Sequence, residues 1–202
     1  MKKKLLLLPL LFAGMCATPA FAAPYLSLSG GVGFPNDAKL SNTNGTANTS
    51  SPFVYKTGIP FGGAVGYASD CYRIEAAVTL QTNKSKSIGG TAFVDDTTDI
   101  KTVSYMANGY YDICMDDSNL SPYLTAGIGL ASVKIRMVAV DLADQSKFAW
   151  QVGAGLGVKV SDQVVVDLGY RYFKTADVTS KAGDWKATVG SSNILAGVRY
   201  NF

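Results

Sequence analysis

Hydrophobic side chains recur at every second position in eight segments of the chain. In residues 72–81, for example, the even positions hold Tyr, Ile, Ala, Val and Leu, whereas the odd positions include Arg73, Glu75 and Thr79. A period of two places successive side chains on opposite faces of a β-strand. The segments that we predict to be strands are residues 25–34, 58–67, 72–81, 102–111, 123–132, 148–160, 164–173 and 193–202.

The length of these segments and of their connections indicates the architecture. About ten residues suffice for a tilted strand to cross a bilayer. Long connections span residues 35–57, 82–101, 133–147 and 174–188, those after the second and sixth strands are short, and residues 112–122 are intermediate. Bacterial outer-membrane barrels have an even number of strands, long extracellular loops and short periplasmic turns. The pattern predicts an all-β fold, an eight-stranded antiparallel up-and-down transmembrane β-barrel with both termini in the periplasm.

The composition favours this barrel over a soluble sandwich or a lipocalin-like barrel. Hydrophobic residues make up 48% of the chain and charged residues only 16%, whereas about a quarter of the residues in soluble domains are charged. A soluble fold would bury the apolar face and expose the other one, which is mostly glycine and uncharged polar residues; such a surface is unusual for a soluble monomer. After residue 22 no stretch of 18 apolar residues predicts a membrane-spanning helix.

Charged residues on the less apolar face are expected inside the barrel. They are Arg73, Glu75, Lys159, Asp167, Arg171 and Arg199. The interior of an eight-stranded barrel is just wide enough for side chains to fill. We therefore favour a structural ion network that closes the lumen, and the alternative is a narrow polar conduit or proton path.

Aromatic residues cluster near the ends of the predicted strands. One group comprises Tyr67, Tyr72, Tyr111, Tyr200 and Phe202, and the other comprises Phe34, Phe61, Phe148, Trp150, Tyr170 and Tyr172. Amphipathic rings favour the two interfaces between membrane and water. The groups are predicted to form a periplasmic and an outer girdle.

The first 22 residues have the pattern of a cleavable signal peptide. Three lysines at residues 2–4 precede an apolar stretch at residues 5–14, and residues 20–22 form a small-x-small cleavage site. This predicts a signal peptide at residues 1–22 and a barrel at residues 23–202; the alternatives are an uncleaved anchor or a lipoprotein signal at Cys16. Removal of three of the 18 basic residues leaves 15 against 15 acidic ones, so no basic surface for nucleic acid remains.

Several stretches resemble one known group of proteins. The sequences MANGYYDI (residues 106–113), SPYLTAGIGL (121–130) and DLGYRYF (167–173), with Tyr200 and the terminal Phe202, are similar to strands of the eight-stranded outer-membrane barrel family. This family includes the OmpA transmembrane domain, OmpX and the neisserial opacity proteins. The resemblance implies the outer membrane of a Gram-negative bacterium, with lipid and lipopolysaccharide around the wall. It also implies that the assembly machinery reads the last strand through Val198, Tyr200 and Phe202.

The chain contains little that predicts catalysis. It has no histidine, which argues against histidine-dependent hydrolases, and no glycine motif matches a nucleotide-binding loop. We interpret the acidic groups at residues 94–99 and 115–119 as loop and turn acids, and predict no catalytic, cofactor or metal site. The leading hypothesis is a non-enzymatic surface protein of envelope-integrity, adhesin or surface-antigen type, with its exposed loops as the binding surface. The alternatives are a small low-conductance porin and a membrane-embedded lipid-modifying enzyme.

Cys71 and Cys114 are the cysteines that remain after the predicted cleavage. They flank the third and fourth strands, which are hairpin partners, so their far ends should lie side by side at the periplasmic rim. The periplasm is oxidising and an even number of exported cysteines favours pairing. We predict a disulfide between them; the alternative is two free thiols that the strand register keeps apart.

Overall fold

The computed structural model describes most of the barrel and parts of its connections. The described residues are 22–35, 40–42, 54–55, 57–88, 91–92, 98–115, 118–137, 140–176, 178–179, 185–188 and 190–202. Most of the predicted signal peptide (residues 1–21), most of the polar connection after the first strand, and the acidic residues 95–96 and 116–117 lie outside these ranges. Within the described residues, no helix has the length and apolarity needed to cross a membrane.

Long antiparallel strands form the wall. They are β1 (Ala23–Pro35), β2 (Ile59–Ala68), β3 (Tyr72–Ile88), β4 (Thr98–Asp112), β5 (Leu120–Met137), β6 (Val140–Lys159), β7 (Val164–Thr175) and β8 (Gly190–Asn201). Each strand pairs with the next one along the chain, and β8 pairs with β1. The predicted fold, a closed eight-stranded antiparallel barrel, is confirmed.

The seam between the first and last strands explains why the chain remains ordered to its final residue. Leu26 faces Tyr200 and Leu28 faces Val198 in the register of β1 and β8. The backbone N–H of Phe202 donates to the carbonyl of Pro24 at 3.0 Å. An unpaired strand edge would leave its backbone groups exposed to the membrane interior, and closure of the barrel satisfies them.

Short polar turns join strands at the end of the barrel where β1 begins and β8 ends. We call this the terminal end, and the opposite end the loop end. Residues 69–71 join β2 to β3, and residues 160–163 join β6 to β7. In the second turn the N–H of Val164 donates to Ser161 Oγ at 3.1 Å. Such local side-chain hydrogen bonds are typical of Ser and Asp in turns.

The middle strands continue further toward the loop end than the sequence predicts. Residues 133–147 were expected to be a loop, but β5 and β6 remain paired as far as Met137 and Val140, with a bulge between Ile135 and Arg136. Similarly, β3 and β4 pair as far as Lys84 and Asp99. Backbone pairing does not require an apolar face, whereas the alternation of apolar residues marks only the part of each strand that faces lipid. The expected loops were therefore too long.

Short strands occupy parts of the connections at the loop end. They are Leu40–Asn42, Val54–Tyr55, Thr91–Ala92, Val178–Thr179 and Trp185–Ala187. A separate antiparallel sheet is formed by three of them, with the strand at Trp185–Ala187 paired on one side with Val178–Thr179 and on the other with Leu40–Asn42. This sheet links the first and last long connections.

Burial follows the predicted alternation along the wall. On β8, Ile194 and Val198 are exposed on the outer surface, whereas Asn193 and Arg199 are buried. The exposed large hydrophobic residues on β1 and β3 are likewise the predicted ones, such as Leu28 and Ile74. The outer surface is therefore apolar and the polar face points into the barrel.

Candidate functional site

The lumen of the barrel is the site that the sequence analysis singled out. Residues Arg73, Glu75, Asp167, Arg171 and Arg199 line an internal cavity there. Lys159 does not belong with them. Its side chain is 53% exposed at the terminal end of β6, where Nζ lies 3.4 Å from Asp162 Oδ1 in the adjoining turn. An inward-facing position at the end of a strand opens to water rather than to the interior, so this prediction was wrong.

Arg73 is paired with a carboxylate that the sequence analysis missed. Its Nε donates to Asp112 Oδ2 at 2.6 Å and its Nη2 donates to Asp112 Oδ1 at 2.7 Å. The two side chains are only 4% and 9% exposed. Asp112 is the last residue of β4, whereas the predicted strand ends at residue 111. It lies two positions after the inward-facing Tyr110 and therefore points to the same face. Continuing the alternation by one step would have identified it.

Aromatic rings surround this pair. The Arg73 guanidinium lies 4.3 Å from the centroid of the Tyr110 ring and 5.1 Å from that of Tyr123. Cations near the face of an aromatic ring are attracted by its quadrupole, most strongly where water is excluded. The bidentate geometry and the rings together hold the guanidinium in one position.

Glu75 is held by neutral donors rather than by an arginine. Its carboxylate accepts hydrogen bonds from Tyr25 Oη at 3.0 Å, Asn108 Nδ2 at 2.8 Å and Tyr110 Oη at 2.6 Å. The Asn108 Oδ1 atom in turn accepts from Gln151 Nε2 at 2.5 Å. This chain of hydrogen bonds runs across the lumen from β1 to β6. The sequence identified Glu75 as a lumen group but not its donors. Asn108 and Tyr110 lie on the adjacent strand β4, whereas Tyr25 comes from β1, two strands away.

The remaining lumen charges are more loosely arranged. Arg171 Nη2 donates to Tyr110 Oη at 3.2 Å. Arg199 Nε lies 3.6 Å from Asp167 Oδ2. With Arg73, Asp112 and Glu75, these residues give three positive and three negative groups in the described part of the lumen. The interior is therefore polar but electrically balanced.

An apolar layer lies on the loop-end side of these charges. It consists of Met106, Ala131, Ala149 and Phe173, all of which are buried. On β4, Met106 precedes Tyr110, and on β7, Phe173 follows Asp167, so both lie nearer the loop end. The alternation along the strands does not reveal this layer, because its members share the less apolar face with the charged residues.

Glycines make room for one of the lumen tyrosines. A Cβ atom placed on Gly155 or on Gly169 would lie 2.5 Å from the Tyr123 hydroxyl oxygen. Only residues without a side chain fit beneath this ring on the neighbouring strands β6 and β7. The repeated glycines of β6 are thus explained by crowding of the interior rather than by nucleotide binding.

The predicted girdle residues lie on the outer surface. Tyr72, Tyr111, Phe148, Trp150 and Tyr170 are exposed there, as are Val198, Tyr200 and Phe202, and Tyr67 and Tyr172 are half-buried. Several of the rings meet in pairs: the centroids are 5.3 Å apart for Tyr72 and Tyr111, 5.6 Å for Trp150 and Tyr172, and 5.1 Å for Tyr200 and Phe202. Their proposed roles at the membrane interfaces and in assembly stay predictions.

The predicted disulfide is present. Cys71 and Cys114 are bonded, with their Cα atoms 5.9 Å apart. The N–H of Asp112 donates to the carbonyl of Cys71 at 2.8 Å, so backbone pairing of β3 and β4 brings the cysteines together. The alternative of two free thiols is wrong.

Comparison with known proteins agrees with this architecture. The family model described as "Outer membrane protein beta-barrel domain" matches residues 8–202. The chain belongs to this family. The barrel therefore lies in the outer membrane of a Gram-negative bacterium, and the resemblance inferred from the strand motifs is confirmed.

Individual members of the family show how far the likeness extends. Outer membrane protein PagN of Salmonella typhimurium (strain LT2) is 24% identical over 232 residues, which cover 97% of this chain and 97% of that protein. The 25 kDa outer-membrane immunogenic protein of Brucella ovis is 41% identical over 59 residues, or 28% of either chain.

Two solved structures are similar over nearly the whole barrel. The crystal structure of Neisserial surface protein A has 26% identity and a TM-score of 0.60, covering 89% of this chain and 97% of that one. The outer membrane protein OprG of Pseudomonas aeruginosa has 13% identity and a TM-score of 0.59, covering 90% and 97%. At that identity, OprG shows the fold alone.

Proposed function

We propose that this outer-membrane barrel is a non-enzymatic surface protein of adhesin, surface-antigen or envelope-integrity type. Its wall and lumen are structural, and its binding surface is the loop end. The observation that carries the proposal is the closed lumen: the hydrogen-bonded chain through Glu75 crosses it, and the apolar layer around Phe173 lies above that chain. A barrel filled in this way serves as an anchor rather than as an open passage.

The length of the middle strands supports a role at the loop end. The strands β5 and β6 have 18 and 20 residues, whereas about ten suffice to cross the membrane. By contrast, β2 on another part of the wall has 10 residues. The β5–β6 hairpin therefore continues well beyond the length needed to cross the bilayer and offers a backbone-paired platform to the outside. The names of two similar proteins, an immunogenic outer-membrane protein and a neisserial surface protein, agree with a surface role.

Shortening this hairpin tests the proposal. Replacement of residues 135–143 by Asn-Gly closes a two-residue turn on the Lys134–Asp144 pair and leaves the membrane-spanning part intact. Bacteria that display the native barrel should adhere to epithelial monolayers or resist detergent better than bacteria without it. The shortened variant should lose that gain, and a Ser161→Ala/Asp162→Ala variant at the terminal end should keep it. Equal behaviour of native and shortened barrels, both folded by heat-modifiable gel migration, would contradict a binding surface on this hairpin.

A small porin is the second candidate, and one observation favours it. The lumen contains a cavity of about 60 Å³ among the charged residues. Steady conductance steps from the purified native barrel in planar bilayers would support the porin and overturn the closed anchor. We expect the native protein to produce no steady steps.

A further inference from the structure

Strands β3 to β6 continue beyond the apolar part of the wall at the loop end and form a four-stranded sheet there. The shorter strands β7, β8, β1 and β2 close the ring only below this sheet, so the sheet has one edge along β3 and another along β6. The chain covers the β3 edge with its own backbone, because the short strand Val54–Tyr55 pairs there with Ser85 and Ser87.

The edge along β6 loses its partner strand at Phe148. The N–H of Ala176 donates to the carbonyl of Phe148 at 2.7 Å, and β7 has ended by then. Residues at every second position of a strand direct their N–H and C=O groups to the same side, so those of Ser146 and Asp144 also point to this edge. In the described part of the chain no strand pairs with them there, since the next short strand, Val178–Thr179, pairs within the separate three-stranded sheet.

The charges along this edge select the kind of strand that fits it. Residues 140–146, which we call the β6 edge, contain Asp141 and Asp144 but no lysine, arginine or proline. On the β5 side these two aspartates stand opposite Arg136 and Lys134 in the strand register. Opposite charges on neighbouring strands stabilise a sheet, and like charges destabilise it. A strand added on the other side therefore fits best if it carries basic residues opposite the aspartates.

We propose that the β6 edge binds an extended basic segment of a partner protein outside the cell, which adds to the sheet as a further strand. Backbone hydrogen bonds at Ser146 and Asp144 hold the segment, and the aspartates favour cationic side chains on it. A second copy of this chain fits less well, because it would bring the same aspartates to the edge. The inference rests on the proposed surface function and deepens it, because it names the edge that binds and the class of partner.

A designed peptide tests the strand addition. The purified full barrel in detergent micelles is titrated with a labelled peptide that alternates lysine and valine, and binding is measured by fluorescence anisotropy. This peptide should bind, whereas one that alternates glutamate and valine should not. In an antiparallel pair the lysine opposite Asp144 directs its N–H to β6, so N-methylation of the lysines should abolish binding and N-methylation of the valines should preserve it. Equal binding of the two methylated peptides would overturn strand addition.

Variants of the barrel test the position of the edge. Ser146→Pro removes an N–H that points away from β5, a place where a strand tolerates proline, and should lower the affinity for the lysine–valine peptide by at least about tenfold. Ser146→Ala is the matched control and should bind as the native barrel does. Asp144→Lys should transfer the preference to the glutamate–valine peptide, and it replaces Ser146→Pro if heat-modifiable migration shows that the latter does not fold. Native binding by the folded variants would overturn the β6 edge as the site.

Two further measurements separate this inference from its rivals. A native barrel that sediments as a dimer in detergent, and as a monomer after Ser146→Pro, would overturn the peptide in favour of a second copy. Peptide binding by a barrel that gives bacteria neither adhesion nor detergent resistance would overturn the surface function and support the edge. Adhesion that is lost on shortening the hairpin, from a native barrel that binds none of the peptides, would overturn the edge alone.

Discussion

Tyr110 and Tyr111 are neighbours on β4, yet they meet entirely different surroundings. Tyr110 is 7% exposed; its hydroxyl bonds to Glu75 and Arg171, and its ring lies under Arg73. Tyr111 is 47% exposed on the outer surface, where its ring packs beside Tyr72. One residue type thus acts as a hydrogen-bonding group inside the barrel and as an apolar ring outside it.

The difference between the two faces lies in the surrounding solvent. Inside, every polar atom needs a partner among other side chains or enclosed water, because an unpaired buried group is costly. Outside, lipid offers no partners at all, so the wall is stable only where its outward side chains are apolar. The same substitution should therefore have different effects on the two faces, and the following experiments compare them.

The largest effect is expected at Phe202, the outward-facing residue at the end of the seam between β1 and β8. Phe202 is 65% exposed and its backbone is bonded to Pro24 on β1. Phe202→Asp places a charge on the outer surface at the rim and, as the family resemblance implies, removes the assembly signal. We expect export to continue while folded barrel in the outer membrane falls to a trace, measured by heat-modifiable gel migration. The control is Asn201→Asp, which puts the same charge on the opposite face of the wall and should assemble. Native amounts of folded Phe202→Asp barrel would refute the prediction.

The next effect is expected inside, at the buried ion pair. Asp112→Ala leaves the Arg73 guanidinium buried without its carboxylate, and breaking such a pair costs about 3–5 kcal/mol. Urea unfolding in lipid vesicles measures the loss. Asp162→Ala removes the exposed partner of Lys159 and should leave the free energy of unfolding unchanged. An Arg73→Met/Asp112→Leu variant should recover most of the loss, and a failure to exceed Asp112→Ala would argue against the unpaired charge as the cause.

A charge on the outer face should have a somewhat smaller effect. Val152 faces Ala126 across β6 and β5 near the middle of the wall, and Val152 is exposed on the outer surface. Val152→Arg should lower the free energy of unfolding by about 2–4 kcal/mol, the usual cost of an arginine at the bilayer midplane. Val152→Leu is the apolar control of larger size and should be close to neutral. If both substitutions were neutral in urea unfolding, this position would not face lipid.

The smallest and most direct comparison uses the paired tyrosines. Tyr110→Phe removes one of the three donors to Glu75 and the acceptor for Arg171, and should cost about 1.5–3 kcal/mol, as is typical of hydrogen bonds to charged groups. Tyr111→Phe removes only a hydroxyl on the outer surface and should change stability by less than about 0.5 kcal/mol. Both are measured by urea unfolding in lipid vesicles. Equal losses for the two variants would show that the faces do not differ in the way described.

Much of the architecture could be read from local patterns. The alternation of apolar residues determined which face of each strand points outward, because a strand in lipid must be apolar on every second position. The apolar terminal segment ending at Phe202 predicted a last strand within the wall. The position of Cys71 and Cys114 around one hairpin predicted their disulfide, because antiparallel neighbours bring such ends together. Each of these inferences involves residues on one strand or on adjacent strands.

The arrangement inside the lumen was decided only by the closed barrel. Arg171 meets Tyr110 across 61 residues of sequence, and Glu75 meets Tyr25 across 50. Period-two alternation determines the side of the wall on which a residue lies, but contacts across the lumen depend on the strand register and stagger of the whole ring. The same dependence placed an apolar layer above the charges. The Asp112–Arg73 pair, in contrast, forms within the β3–β4 hairpin, and Lys159 meets water because β6 ends there. The sequence by itself therefore determined the two faces of the wall, and the tertiary structure decided which inward side chains meet, because only closure brings distant strands together.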